Sequence, residues 1–201
     1  MTRRVSDVAF TDAVKARQER LGSRAEQDRR DFQDRVTPQL ADFLAKRTSF
    51  YLATTSETGH PYIQHRGGPA GFLKVLDDQT LAFADFAGNR QYITTGNLEG
   101  NDRVHLFFMD YANSSRIKLW GRARVVEDDT ELLISLQDQP YSGRPERAVV
   151  ITLEAWDVNC PQHIPSLYSE ETIRLVTRKL SMRIAELEAE NAELKQWIGK
   201  P

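Results

Sequence analysis

Val104–Met109 (VHLFFM) and Ile117–Val126 (IKLWGRARVV) decide the fold class. Both are rich in β-branched, aromatic and aliphatic residues, as strands are. Working outward, Ser49–Thr55 (SFYLATT) reads as a strand closed by the hairpin-like turn Glu57-Thr58-Gly59-His60. Pro61–Arg66 (PYIQHR) starts the next strand and Phe72–Leu76 a third, followed by the turn signal Asp77-Asp78-Gln79. Leu81–Ala84 is a fourth, and Ala148–Leu153 continues to about Val158. Many short strands separated by turn signals point to a barrel or sandwich rather than a parallel sheet. Two helical breaks are predicted inside this region, about Arg90–Leu98 and Asp129–Gln137. The expected class is α+β with a mostly β core, N-terminal helices and a long C-terminal helix.

Three zones follow. Residues 1–47 are charged and expected to be mostly helical, residues 48–165 form the β-domain, and residues 166–201 form a helix. In the first zone Thr11 caps a helix that ends near Gly22. A second helical pattern covers Arg24–Lys46 and is interrupted at Thr37-Pro38, a cap followed by a first-turn proline. In the last zone Leu180, Ile184, Leu187, Asn191, Leu194 and Ile198 trace a heptad seam. It can form a short coiled coil or pack on its own barrel.

Composition bounds the function. With 40% hydrophobic and 28% charged residues the chain is ordinary for a globular protein, and no run is apolar enough to span a membrane. A formal net charge of -2, with basic and acidic residues interspersed, gives no nucleic-acid footprint. The N-terminus lacks a signal-peptide core, and one cysteine, Cys160, cannot form an internal disulfide, so a cytoplasmic location is expected.

Four constellations could carry chemistry. Gln64-His65-Arg66-Gly67-Gly68-Pro69-Ala70-Gly71 ends a strand in an arginine and then supplies three glycines. Glycines admit a ligand close to backbone N–H groups, and Arg66 offers a planar fork suited to phosphate. A salt-bridged surface loop is the alternative. Asp85–Gln91 (DFAGNRQ), followed by Asn97, places Asn89 and Arg90 at an expected helix start, which is a natural anion site or simply a capped helix. Arg116 and Lys118 share one face of a strand, as ligand contacts or as an exposed basic face. Cys160-Pro161-Gln162-His163 supplies too few ligands for a metal and no third group for thiol catalysis, and reads as a polar loop that touches a ligand.

The order of these motifs resembles the pyridoxamine 5'-phosphate oxidase-like FMN-binding proteins. It runs from a Gly-His-Pro turn through a strand ending in arginine, Asp-x-x-Gly-Asn-Arg and Asn97-Leu98-x-x-Asn101. It continues through Val-x-Leu-Phe-Phe and Arg-Ile-Lys-Leu-Trp-Gly-Arg-Ala, over roughly residues 37–160. The resemblance implies a split β-barrel homodimer with FMN at the subunit interface. It implies that Arg66 contacts the flavin phosphate or ring edge, and that Asn89-Arg90-Gln91 stands where the family has Ser-Arg-Lys. The lysine is lost there, and Arg116, in place of a family glutamine, is placed to compensate. Implied cofactor contacts are Gln64, His65, Arg66, Gly67, Gly68, Asn89, Arg90, Gln91, Asn97, Arg116, Lys118, Gln162 and His163. The C-terminal Arg-Leu-Ser-Pro motif of the vitamin-B6 oxidases is absent, which argues against pyridoxamine phosphate as substrate. The expected function is an FMN-dependent oxidoreductase with NAD(P)H or a protein as electron donor. The alternatives are a non-catalytic flavin or electron-shuttling module, and a haem-binding barrel with His65, His105 or His163 as axial ligand.

Overall fold

The computed structural model describes residues 4–137 and 141–198. The chain divides into two compact units: one runs through Asp110 and resumes over Ser115–Gln162, and the other comprises Tyr111–Ser114 and the chain from His163.

In the first unit a 3-10 turn, Val5–Val8, precedes α1 (Asp12–Arg20), whose N-cap Thr11 accepts a hydrogen bond from the Val14 amide. Gly22, at φ +75°, ends it in the left-handed conformation that glycine adopts without a Cβ clash. The pattern expected to be helical over Arg24–Lys46 is helical only at its ends, α2 (Arg24–Gln27) and α3 (Pro38–Ala45, capped by Thr37). Tertiary contacts override propensity in between. The Asp31 carboxylate accepts the amides of Val5, Ser6 and Phe32, Phe32 stacks on Trp120 at 5.3 Å, and Gln33 bridges Trp156.

Seven strands follow: β1 (Ser49–Thr55), β2 (Pro61–Gly67), β3 (Lys74–Val75), β4 (Thr80–Phe86), β5 (Arg103–Asp110), β6 (Ser115–Val126) and β7 (Pro145–Val158). They form one antiparallel sheet in the order β2-β1-β5-β6-β7-β4-β3. With helices α4 (Ile93–Gly100) and α5 (Thr130–Ser135) it makes an α+β split barrel. Alternation along β5 sends Val104, Leu106 and Phe108 inward, where Phe50, Phe72 and Phe83 join them with Phe50 ring contacts of 5.2–5.4 Å. β4 is buried on both faces because Leu136, just after α5, covers Ala82 and Ala84. At the β6 bulge, a Cβ on Gly121 would stand 2.5 Å from the Thr152 carbonyl oxygen, so only glycine fits.

The second unit contains α6 (Glu170–Ile198), begun by Ser169, whose hydroxyl accepts from the Thr172 amide. The expected extension of this helix to residue 201 lies, beyond Ile198, outside the described residues. Among the described residues no helix is long and apolar enough to cross a membrane.

Candidate cofactor site

The period of two along β2 turns Tyr62, Gln64 and Arg66 toward a cavity of about 250 Å³, which Asp85 at the end of β4 and the segment Gly88–Thr95 also line. Ile63 and His65 point to the other face of the strand, where the His65 and Tyr51 rings pack edge to face with centres 5.7 Å apart. α4 is tied to the barrel floor by two side-chain bonds, Thr94 Oγ1 to Gln64 Oε1 at 2.8 Å and Asn97 Nδ2 to Thr54 Oγ1 at 2.9 Å. Asn97 is therefore a strut of the cavity rather than part of its lining.

The helix expected to start near Asn89 starts at Ile93. Asn89 Oδ1 accepts from the Gln91 amide at 3.2 Å, a local turn that competes with helix entry. Arg90 and Tyr92 follow with φ of 60° and 53°. The left-handed region costs a non-glycine residue on the order of 1–2 kcal/mol, and such strain concentrates at ligand sites. Tyr92, not Asn89, is the N-cap, and it makes no side-chain capping bond.

Charge on the cavity wall is organised around Asp85. The Arg66 guanidinium pairs with one carboxylate oxygen, and Arg147 Nε stands 3.8 Å from the other. Arg147 is held in turn by Glu127 at 3.0 Å and Glu146 at 3.1 Å, and its guanidinium lies 5.2 Å from the centre of the Tyr92 ring. Arg66 Nε is buried with no hydrogen-bond partner among the described residues. A buried orphan donor on an arginine is costly. Arg66 lines the cavity together with Gln64, Asn89, Arg90 and Gln91. A second, wider cavity of about 860 Å³ between α4 and the β6–β7 surface shares Tyr92 and Thr95 with the first.

Five of the expected contacts therefore converge on one cavity: Gln64, Arg66, Asn89, Arg90 and Gln91. The others stand elsewhere. Packing accounts for glycine at position 68, where a Cβ would meet the Phe72 ring at 2.6 Å. Gly67, closing β2, also lies off the cavity lining. Lys118 is bound to Asp157 at 3.1 Å and sits over the rings of Phe32 and Trp120, so its charge is already matched. Arg116 lies on β6 with its Nε buried and unpartnered. Gln162 closes the first unit and His163 opens the second. Cys160 is exposed, and among the described residues no group of three His, Cys, Asp or Glu side chains could hold a metal ion. Asp85 and Glu146 line the cavity without having been expected as contacts, and Arg147, which lines the wider cavity, reaches Asp85. Asp85 opens the stretch Asp85–Gln91 singled out in the sequence but was given no contact of its own, and nothing in Pro-Glu-Arg at 145–147 announces a buried ionic cluster.

The sequence profile described as pyridoxamine 5'-phosphate oxidase matches residues 36–160, more than half of the chain. The chain belongs to the pyridoxamine 5'-phosphate oxidase family. Two solved structures with a TM-score of 0.50 agree at the level of the fold, and a third is similar. HupZ from Group A Streptococcus is 18% identical, with a TM-score of 0.50, over 66% of this chain and 99% of that one. A histidine-to-alanine variant of HupZ is 19% identical, with a TM-score of 0.50, over 62% and 99%. A putative pyridoxamine 5'-phosphate oxidase from Lactobacillus delbrueckii is 22% identical over 62% and 95%, with a TM-score of 0.48. No curated protein matches the chain. Within the family's split barrel, the Arg66 cavity brings together two arginines, Arg66 and Arg90, and the side-chain amides of Gln64, Asn89 and Gln91, groups that fit a phosphate.

Proposed function

We propose that this protein binds FMN and serves as an FMN-dependent oxidoreductase, working as a homodimer with the flavin site at the subunit interface. The observation that carries the reading is the convergence of Arg66 and Arg90, with the side-chain amides of Gln64, Asn89 and Gln91, on one cavity. In this proposal Arg66 and Arg90 hold the phosphate, while Gln64, Asn89 and Gln91 offer amide groups beside it. Asp85 keeps Arg66 aimed and lowers the net positive charge of the wall, so a flavin phosphate is held by shared rather than surplus cations. Arg116 is proposed to serve the flavin from across the subunit interface, with Lys118, Gln162 and His163 as further contacts of that kind. Bound FMN supplies hydride or electron transfer, and the protein supplies position and electrostatics. NAD(P)H or a redox protein is the proposed electron donor.

A paired titration tests the reading. FMN and riboflavin share the isoalloxazine and differ by the phosphate. FMN should bind at least about tenfold tighter, the worth of one charge-assisted contact. Equal affinity for the two would remove the phosphate site from the account.

A further inference from the structure

We propose that α6 is an interaction surface for a second copy of this chain, pairing with the same helix in parallel and in register as a two-stranded coiled coil. The helix is continuous from Glu170 to Ile198, about 43 Å at 1.5 Å per residue. Its seam extends beyond that expected from Leu180 onward: Ile173 and Thr177 add another pair of layers at its start. Ile184, Asn191 and Ile198 occupy one core position of the heptad, and Ile173, Leu180, Leu187 and Leu194 the other. The apolar members of the seam are 45–75% exposed within one chain. β-branched residues at the first position with leucine at the second favour two strands. A single asparagine at the first position is satisfied when it meets the asparagine of an in-register parallel partner. An antiparallel partner would set Asn191 against leucine.

The flanking charges select the same arrangement independently. In a parallel pair the residue before each first core position faces the residue after the second core position one heptad further along the other helix. Arg183 then faces Glu188, and Glu190 faces Lys195; both contacts join opposite charges and each occurs twice by symmetry. Within one chain Arg183 reaches only Glu186 at 3.0 Å and Glu190 at 3.8 Å, exposed pairs of small worth. Among the described residues Glu188 and Lys195 make no ion pair. The inference rests on the helix alone and does not depend on the flavin reading.

The test is disulfide trapping in the full-length chain carrying Cys160→Ser, so that no native thiol competes. Asn191→Cys places a thiol in the seam, and Ala189→Cys places one on the opposite face. Under mild oxidation the seam variant should form covalent dimer roughly tenfold faster, since contact exceeds mere tethering in effective concentration. A second experiment mixes two charge-reversed chains in the seam-thiol background. One carries Arg183→Glu and Glu190→Lys, and the other Glu188→Lys and Lys195→Glu. Each alone sets like charges across the interface, whereas the mixture restores all four attractive contacts, so mixed covalent dimers should predominate. Far-UV circular dichroism confirms that each variant is helical, and flavin content is read on the same samples. Equal trapping at 189 and 191, or a statistical distribution of dimers in the mixture, would overturn the proposal even if flavin remains bound.

Discussion

Replacing Arg66 with alanine should separate the site from the scaffold. The side chain forms an ion pair with Asp85 and presents a buried Nε with no partner among the described residues. Breaking a buried pair by removing one partner typically costs about 3–5 kcal/mol, because the remaining charge is left uncompensated. Arg147 Nε stands 3.8 Å from the other Asp85 oxygen, so the carboxylate keeps a counter-charge. The expected loss is therefore smaller, roughly 1–3 kcal/mol. Binding is affected separately. A charge-assisted hydrogen bond contributes about 1.5–3 kcal/mol, and about 1.4 kcal/mol is tenfold, so FMN affinity should fall about 10–100-fold. The assay pairs fluorescence titration of FMN with thermal unfolding of the flavin-free protein. Adding Asp85→Ala to Arg66→Ala removes the carboxylate left with only its longer contact to Arg147 and should recover part of the stability without recovering FMN affinity. Unchanged FMN affinity in a natively folded Arg66→Ala protein would refute the reasoning, and so would affinity that tracks stability through both variants.

Arg90→Ala should weaken FMN by a similar factor of about 10–100 with almost no change in melting temperature, because the side chain is exposed and makes no ion pair among the described residues. Burial pushes the Asp31 carboxyl up, but hydrogen bonds from Ser6, Val5 and Phe32 outweigh it and hold the pKa down at about 2. A folded-state pKa below the unfolded value gives stability that is present above about pH 4 and lost as pH falls through about 2. Asp31→Asn should thus cost about 1 kcal/mol near neutrality after allowance for solvent screening, a cost that shrinks as pH falls toward 2 and disappears below it, as read by unfolding against pH. Burial, and secondarily the Lys118 ammonium, hold the His105 imidazole below its ordinary value of 6.5. An NMR titration should place its midpoint lower, and Lys118→Met should move that midpoint up. Cys160→Ser should leave fold and flavin content intact, whereas stoichiometric zinc or iron lost on that substitution would show that a metal had been missed.

The barrel strands were legible because their chemistry is local. The apolar and aromatic runs at Ser49–Thr55, Val104–Met109 and Ile117–Val126 stand within one or two residues of β1, β5 and β6. Thr11 and Thr37 announced their caps for the same reason. The stretch from Asp28 to Val36 did not, since its helical propensity yields to partners far along the chain, Trp120 and Trp156. The cavity was half legible. Arg66 and Asn89-Arg90-Gln91 were marked by arginines beside glycines, and they converge. The ion pairs around Asp85 were not, because Asp85 meets Arg147 only through the β4–β7 pairing, a register no local pattern encodes. Asn89 resembled a helix cap in sequence, and its side chain forms a turn instead, so the segment before Ile93 is strained loop rather than helix N-terminus.

The central claim is that this cavity holds the phosphate of an FMN. It is tested most directly by denaturing the purified protein and identifying what it releases by mass spectrometry and absorbance. The account predicts FMN, approaching one per chain in the wild type and strongly depleted in the variant carrying both Arg66→Ala and Arg90→Ala. A released porphyrin, or FMN retained undiminished by that double variant, would contradict it.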